Sequence, residues 1–218
     1  MHYIISDIHN NNERLSKLLK KIHFSKEDHL FILGDLFDRC AYAPDPVGVY
    51  FTMLQWKEQC TVVRGNHDEW LADYIRRYFD TPEKKRSRLP EYEYNSFGLL
   101  MQRLTPVDMQ KLADNIKEWP MQVTVELDGT TYLLAHAKTA HPDECKEDNY
   151  YLNGEADDED YLENGIEGYV SICGHREMQT QIWKNKKENV YVIDCGCGYK
   201  DGRLGCLCLE TREEIYVM

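Results

Sequence analysis

The sequence predicts an α/β protein. Apolar runs of three to five residues, typical of buried strands, alternate with segments whose apolar residues recur every three to four positions, typical of amphipathic helices. A chain of 218 residues is long enough to bury a core without disulfides or a structural metal. Because strands alternating with helices form βαβ units, we expect a largely parallel sheet within a single domain over residues 1–218.

The first third of the chain carries three predicted strands, over residues 2–6, 30–33 and 61–63. A helix with a regular apolar face separates the first two, and a second helix begins near Pro46 with Asp45 as its cap. A third helix follows the third strand. The apolar stripes of the first and third helices are formed by Leu15, Leu18, Leu19 and Ile22, and by Leu71, Tyr74, Ile75 and Tyr78.

The rest of the chain moves from a helix to strands. Thr105, Pro106 and Asp108 form a capping box that predicts a helix start, and the apolar stripe continues to Ile116. Alternating apolar residues from 122 to 127, the Asp128–Gly129 pair and the run 132–135 predict a hairpin with a two-residue turn. Further strands are predicted over residues 169–173, 190–193, 204–209 and 215–217.

The overall charge limits the classes of partner. The chain has 38 acidic residues against 26 Lys and Arg, a formal charge of −12 and a pI near 5.1. Such a surface repels polyanions, so we expect neither nucleic acid nor an anionic membrane as a partner. Since no apolar run reaches the roughly 18 residues of a membrane helix and no secretion signal is evident, we expect a cytoplasmic protein.

Eight cysteines raise the question of a metal or a disulfide framework. Cys195, Cys197, Cys206 and Cys208 form two closely spaced pairs, but zinc ribbons more often have two residues between paired cysteines. The alternation of cysteine and leucine from 206 to 209 is typical of a strand buried on both faces. We therefore predict free thiols.

Two charged segments interrupt the pattern, and we treat them as insertions near residues 76–95 and 141–168. Residues 76–88 hold six basic side chains, whereas residues 143–167 hold eleven acids and one lysine. The simpler interpretation is that both are solvated surface loops. The alternative is that they line a substrate cleft, in which the basic segment attracts a phosphorylated partner.

Carboxylate, imidazole and amide side chains follow several predicted strands. In α/β sheets the carboxyl ends of the strands form the edge at which ligands bind. Oxygen and imidazole donors suit a divalent cation such as Mn²⁺ or Fe. The motifs are Asp7-x-His9, Gly34-Asp35-x-x-Asp38-Arg39, Arg64-Gly65-Asn66-His67-Asp68, His136 and Gly174-His175.

The order of these motifs resembles the calcineurin-like metallophosphoesterases. The resemblance extends to about residue 210 and is strongest to the phosphoprotein phosphatase branch, which includes bacterial serine/threonine phosphatases and symmetrical diadenosine tetraphosphatases. Arg39 directly after the second motif, and Glu177 where other branches have a histidine, favour this branch. The resemblance implies a sandwich of two mixed β-sheets flanked by helices.

The resemblance also implies a pair of divalent ions, with Mn²⁺ expected and Fe or Zn as other candidates. Asp35 would bridge the two ions. By the same resemblance, one ion would be held by Asp7, His9 and Asp35, and the other by Asp35, Asn66, His136 and His175.

Roles for the remaining motif residues follow from the resemblance. His67 would be the general acid, oriented by Asp38, and Arg39 would bind the phosphoryl group. Arg64 is a further candidate for binding substrate. The branch uses a second phosphate-binding arginine between its two late histidines, but residues 137–174 contain none, so Lys138 or Arg176 would replace it. Asn10 stands where the family usually has glycine.

The expected function is hydrolysis of phosphomonoesters, including phosphoserine and phosphothreonine in proteins, by attack of a metal-bound hydroxide. The partner is then a phosphorylated protein or small molecule. The alternative enzyme is a diadenosine tetraphosphate hydrolase, which shares every motif above. A third hypothesis, from a different class, is a non-catalytic binding module with the same fold.

Overall fold

Two mixed five-stranded sheets form the centre of the structure, a computed structural model that describes residues 1–154 and 158–218. In the first sheet β1, β2 and β3 run parallel, and β9 pairs antiparallel with both β1 and β10. The strand order is β10-β9-β1-β2-β3. Its strands are β1 (His2–Ile5), β2 (His29–Ile32), β3 (Cys60–Val62), β9 (Leu204–Cys208) and β10 (Glu214–Val217).

The second sheet has the order β4-β5-β6-β8-β7. Here β5, β6 and β8 run parallel, and the two edge strands are antiparallel to their neighbours. Its strands are β4 (Gln122–Leu127), β5 (Thr130–Ala135), β6 (Val170–Cys173), β7 (Trp183–Lys184) and β8 (Val190–Val192). The predicted sandwich of two mixed sheets is confirmed.

Eight helices of the described chain flank these sheets. The predicted caps are present, because Asp45 accepts a hydrogen bond from Gly48 N and Thr105 accepts one from Asp108 N. Asp128 and Gly129 both have positive φ, as a two-residue hairpin turn requires. The helices are α1 (Asn12–Lys21), α2 (Pro46–Gln55), α3 (Asn66–Asp80), α4 (Glu83–Arg86), α5 (Ser96–Met101), α6 (Pro106–Glu118), α7 (Asp148–Asn153) and α8 (Glu159–Asn164).

Alternate residues of the first sheet belong to two different cores. Ile5 and Ile32 pack with the apolar faces of α1, α3 and α6, whereas Ile4 and Phe31 pack with Leu134 and other residues of the second sheet. This period-two division is what a strand buried on both faces produces. It joins the two sheets face to face and aligns their polar strand ends.

The cysteines follow the same division. Cys206 and Cys208 lie in the core beneath the helices, while Leu207 and Leu209 lie in the core between the sheets. All eight cysteines are free. The prediction of free thiols is confirmed.

The two charged segments are more regular than surface loops. Residues 76–80 complete α3, because its apolar stripe continues through Tyr78 and Phe79, and α4 follows. Arg86 donates to the carbonyls of Tyr78 and Thr81 and so closes the end of α3. The acidic segment contains α7 and α8, and its residues Glu155 and Asp157 lie outside the described residues.

None of the helices in the described part of the chain combines the length and apolar character that a membrane crossing needs.

Candidate metal centre

The predicted motifs lie in tight loops at the strand ends, and their backbone is strained. Asp7, His9, Asp35 and His175 all have φ between 49° and 67°, in the left-handed region. Eight of the twelve non-glycine residues with positive φ in the described chain belong to or adjoin these motifs. Left-handed non-glycine residues are uncommon and costly, and they concentrate at functional sites. The backbone of these loops therefore adopts a costly conformation that fixes the directions of the motif side chains.

Glycine in two of the motifs permits close approach between the loops. A Cβ atom on Gly65 would lie 2.3 Å from the backbone nitrogen of Asp35, and one on Gly174 would lie 1.8 Å from Ser6 Oγ and 2.2 Å from Asp7 Oδ2. Any other residue at Gly174 would push the loop before His175 away from the first sheet. The glycines thus set the distance between motifs that are far apart in sequence.

The first cluster consists of Asp7, His9 and Asp35, all at most 1% exposed. His9 Nε2 lies 3.7 Å from Asp7 Oδ1 and 3.8 Å from Asp35 Oδ2. The other ring nitrogen, Nδ1, lies 3.1 Å from the carbonyl of Phe37 and must donate to it. This bond leaves Nε2 unprotonated and directed at the carboxylates, which is the form that binds a metal ion.

The second cluster shares Asp35 and adds His136 and His175. His136 donates through Nδ1 to the carbonyl of Leu33 at 2.7 Å, and its Nε2 lies 3.5 Å from Asp35 Oδ1. The amide oxygen of Asn66 lies 2.9 Å from His136 Nε2 and 3.1 Å from His175 Nδ1. Four donors from both sheets therefore converge on one point.

The chemistry of both clusters fits divalent cations. Asp7 Oδ1 is buried and has no hydrogen-bond partner among the described residues, although Oδ2 accepts bonds from Ser6 Oγ and His175 N. A buried carboxylate oxygen without a partner is costly unless a cation completes its shell. Carboxylate, amide and imidazole donors without thiolates match Mn, Fe or Zn. The six predicted ligands are thus brought together.

Without bound cations, burial and neighbouring charges shift the pKa values of the residues in both clusters. Burial raises the pKa of Asp7 to about 7, and burial lowers the pKa of His9 to about 3 and of His175 to about 4. Burial also opposes protonation of His136, but the carboxylate of Asp35 outweighs it and raises the pKa of His136 to about 10. Conversely, His136 holds the pKa of Asp35 below its usual range, against the effect of burial.

A second constellation lies beside the first cluster. His67 Nδ1 is 3.2 Å from Asp38 Oδ2, both residues are at most 1% exposed, and the His67 ring contacts that of His9 edge to face at 5.2 Å. The Tyr92 hydroxyl donates to the same Asp38 oxygen at 2.6 Å. The expected pairing of His67 with Asp38 is therefore present, and Tyr92 extends it.

Sequence reasoning missed the residues that hold Asp38 in place. Ser96 Oγ accepts a 2.6 Å bond from Asp38 N and exchanges bonds with the side-chain amide of Asn10. Asn10 also adopts φ 63°, a conformation that asparagine tolerates well. The asparagine at this position thus ties the loop after β1 to the start of α5, a contact with no local signal in the sequence.

Asp68 ends the third motif, and its role is visible in its hydrogen bonds. Its carboxylate accepts bonds from the backbone nitrogens of Asp35, Leu36 and Gly65 at 2.8 to 3.1 Å. It therefore orients the loop that carries Asp35. Burial, with the nearby charge of Asp35, raises the pKa of Asp68 to about 7.

The four predicted substrate-binding side chains have different surroundings. Arg39 Nη1 lies 3.4 Å from His9 Nε2, at the first cluster. Arg64 instead donates to Glu69 and to the backbone carbonyls of Lys117 and Trp119. Lys138 pairs with Asp158 at 2.5 Å. The ammonium group of Lys138 also lies between the rings of Tyr150 and Tyr161. Arg176 directly follows His175. Of these four, the described contacts bring Arg39 to the clusters.

Comparisons with known proteins agree with this geometry. A family model described as calcineurin-like phosphoesterase matches residues 3–208. No curated protein matches the sequence.

Solved structures share the fold over nearly the whole chain. A putative diadenosine tetraphosphatase is 20% identical with a TM-score of 0.65, and covers 99% of this chain and 92% of its own. A protein serine/threonine phosphatase from Saccharomyces cerevisiae, with similarity to human phosphatase PP5, is 12% identical with a TM-score of 0.60, covering 99% and 78%. A cold-active protein tyrosine phosphatase mutant is 16% identical with a TM-score of 0.56, covering 100% and 80%.

Proposed function

We propose, from the premise that this chain belongs to the calcineurin-like phosphoesterase family, that it hydrolyses phosphomonoesters with a pair of divalent ions. Members of this family are metal-dependent hydrolases, and this chain is one. The observation that carries the proposal is the overlap of two donor clusters in one carboxylate, Asp35. A carboxylate with one oxygen toward each cluster is the natural bridge between two ions.

The proposed ligands are the residues that converge in the two clusters. Asp7, His9 and Asp35 would hold one ion, and Asp35, Asn66, His136 and His175 would hold the other. When bound, such a pair supplies charge that stabilises phosphoryl oxygens and lowers the pKa of water. Mn²⁺ is our first choice, with Fe and Zn as alternatives, because the donors are oxygen and imidazole.

Arg39 is proposed to bind the phosphoryl group. Its guanidinium reaches the first cluster at His9, and its planar fork can donate two parallel hydrogen bonds to phosphate oxygens. Replacing Arg39 by alanine is expected to lower kcat/KM through weaker transition-state binding.

His67 is proposed to protonate the leaving oxygen. Since Nδ1 faces Asp38, the proton that reaches the substrate is carried on Nε2. Asp38 accepts a hydrogen bond from Nδ1–H and so fixes both the ring orientation and the tautomer. Tyr92 and Ser96, in turn, hold Asp38. The chain thus supplies an oriented acid at the edge of the proposed ion pair.

The leading substrates are phosphomonoesters, including phosphoserine and phosphothreonine in proteins. Diadenosine tetraphosphate is the second candidate, because a structural neighbour is described as a putative diadenosine tetraphosphatase and the exposed ring of Trp70 beside His67 offers a surface for a base. The test is to compare a phosphoserine peptide, p-nitrophenyl phosphate and diadenosine tetraphosphate, each with Mn²⁺, Fe²⁺ or Zn²⁺ added to metal-free protein.

We expect both monoesters to be hydrolysed and two ions to be bound per chain by elemental analysis. A preference for the dinucleotide by orders of magnitude would reverse the ranking of substrates. A protein that binds metal weakly and hydrolyses none of the three esters would refute the proposed activity.

A further inference from the structure

An aromatic cavity lies next to the proposed general acid. It has a volume of about 390 Å³, and four of its walls are the rings of Trp70, Tyr74, Tyr92 and Tyr94. Two of these rings contact His67, with centroid distances of 4.9 Å from Trp70 and 4.5 Å from Tyr94. His67 does not itself line the cavity, but Trp70 and Tyr94 belong to the cavity wall and contact His67. A leaving group that takes its proton from His67 would therefore lie against this wall.

The aromatic wall is rigid but open to a ligand. Trp70 and Tyr94 stack with an angle of 4° between their planes and a centroid distance of 5.8 Å, yet Trp70 remains 40% exposed. On the other side, Tyr92 is held by its hydrogen bond to Asp38, and Tyr74 by one to the carbonyl of Pro90. The rings are therefore positioned before any ligand arrives.

The rim of the cavity carries more negative than positive charge. Glu91 and Glu93 are exposed and have no ion-pair partner among residues 1–154 and 158–218, whereas Asp73 pairs with Lys117. Arg77 is the one basic residue that lines the cavity. Exposed carboxylates around aromatic faces favour an organic cation, since ring quadrupoles and carboxylates both attract positive charge.

The same charges weigh against other leaving groups. A nucleotide would bring its phosphates close to Glu91 and Glu93, which repel them. A neutral alcohol or phenol would contact the aromatic rings but would have no electrostatic attraction to Glu91 and Glu93.

Resting on the proposed function, we infer that this cavity is a leaving-group subsite that recognises an alkylammonium or guanidinium group attached to the phosphoester. Such a group comes either from a basic side chain next to the phosphorylated residue of a protein or from the ammonium alcohol of a small phosphomonoester. The phosphoryl group would lie at Arg39 and the cation among the four rings.

Two matched pairs of substrates test this inference. The first is two phosphoserine peptides that differ only in the residue after phosphoserine, arginine in one and glutamine in the other. The second is phosphocholine and its neutral isostere, 3,3-dimethylbutyl phosphate. We expect kcat/KM to favour the cationic member of at least one pair by about tenfold, the combined effect of cation–π and carboxylate contacts at a partly exposed site.

Variants of the rim and the wall locate the effect. Replacing both rim carboxylates (Glu91→Gln with Glu93→Gln), or Trp70→Leu, should reduce the tenfold ratio to about threefold or less. The matched control removes two exposed carboxylates at the opposite end of the second sheet, Glu126→Gln with Glu167→Gln, and should leave the ratio unchanged. Glu126 pairs with Thr131 in β5, far along the strand from His136, and Glu167 precedes β6.

The possible outcomes distinguish a failure of the proposed subsite from a failure of the proposed activity. A preference in the peptide pair identifies a basic protein segment as the source of the cation, and one in the phosphocholine pair identifies a small ammonium ester. Equal kcat/KM within both pairs, with p-nitrophenyl phosphate still hydrolysed, overturns the subsite and leaves the proposed function standing. Failure to hydrolyse any monoester with metal added refutes the proposed function, and the subsite with it.

Discussion

The hydroxyl of Tyr92 donates a 2.6 Å hydrogen bond to Asp38 Oδ2, the same oxygen that lies 3.2 Å from His67 Nδ1. Burial, followed by the charge of Asp38, raises the pKa of Tyr92, so its proton stays in place as a donor. A carboxylate shared between a fixed hydroxyl and an imidazole has little freedom to rotate. Tyr92 is therefore a positioning residue for the proposed acid.

Tyr92→Phe keeps the ring and removes only this donor. We expect kcat for a phosphoserine peptide to fall by about tenfold, the value of one hydrogen bond to a charged group, with a smaller loss for p-nitrophenyl phosphate. Steady-state kinetics on both substrates provide the measurement. Tyr191→Phe, which removes a hydroxyl in the second sheet that accepts a bond from Arg212, is the control for loss of a tyrosine hydroxyl outside the site. Equal losses on the two substrates would contradict the positioning role.

His67→Ala should lower kcat by about 10²- to 10⁴-fold for esters of alcohols, which leave poorly without a proton. The loss should be much smaller for p-nitrophenyl phosphate, because p-nitrophenolate scarcely needs protonation. Activity against leaving groups of increasing basicity is the measurement, and His141→Ala, which changes a half-buried histidine beside Asp143, is the control. A loss that does not depend on the leaving group would exclude His67 as the acid.

Asp35→Asn removes the proposed bridge while keeping the size of the side chain. We expect the metal content to fall from two ions per chain to one or none, and hydrolysis to be lost, because each cluster depends on this carboxylate. Elemental analysis and calorimetric titration with Mn²⁺ measure the first effect. Asp114→Asn, which changes an exposed acid on α6, should bind metal like the wild type. Retention of two ions would disprove the bridge.

Gly174→Ala should destabilise the protein by about 1–3 kcal/mol and weaken metal binding, since its Cβ would collide with Ser6 and Asp7. Gly98→Ala is the matched control. No atom lies within 4 Å of a Cβ added at Gly98, a residue in α5, so alanine there should stabilise the protein by about 0.5–1 kcal/mol. Denaturant unfolding measures both. Equal stability of the two variants would show that Gly174 is not a packing requirement.

The metal-free protein should become less stable between pH 7 and pH 9. His136 has its pKa raised from the ordinary 6.5 to about 10, so its stabilising effect is complete below 6.5 and is lost as pH rises through the folded value. In this range the folded state holds a proton that the unfolded state has released, and the loss over two pH units is at most about 2.7 kcal/mol. Urea unfolding with and without Mn²⁺ tests this.

As a proposed metal ligand, His136 would bind the ion as neutral imidazole, so the loss of stability over this pH range should be smaller with metal than in the metal-free protein. The difference in pH dependence between the two series is the quantity to compare, because titration outside the two clusters affects both series alike. Identical pH dependence with and without Mn²⁺ would mean that His136 is neutral in the metal-free fold.

Local residue patterns were sufficient for most of the secondary structure and for naming the candidate metal-binding residues that the fold brings together. Asp45 and Thr105 cap helices through hydrogen bonds to residues three positions further along the chain. The hairpin turn depends only on the backbone dihedral angles of Asp128 and Gly129. The strand-end positions of Asp7 and Asp35 also follow from the apolar runs before them. Such features depend on neighbours in sequence, which is why sequence alone determined them.

Tertiary structure decided how those ligands meet and which other side chains serve them. The bond from His175 N to Asp7 Oδ2 joins residues 168 positions apart and exists because the core between the sheets holds them face to face. Arg64 was expected at the substrate, yet its guanidinium bonds to the end of α6, and Tyr92 had no motif at all. Partner choice of this kind depends on packing between distant segments, so no local pattern encodes it.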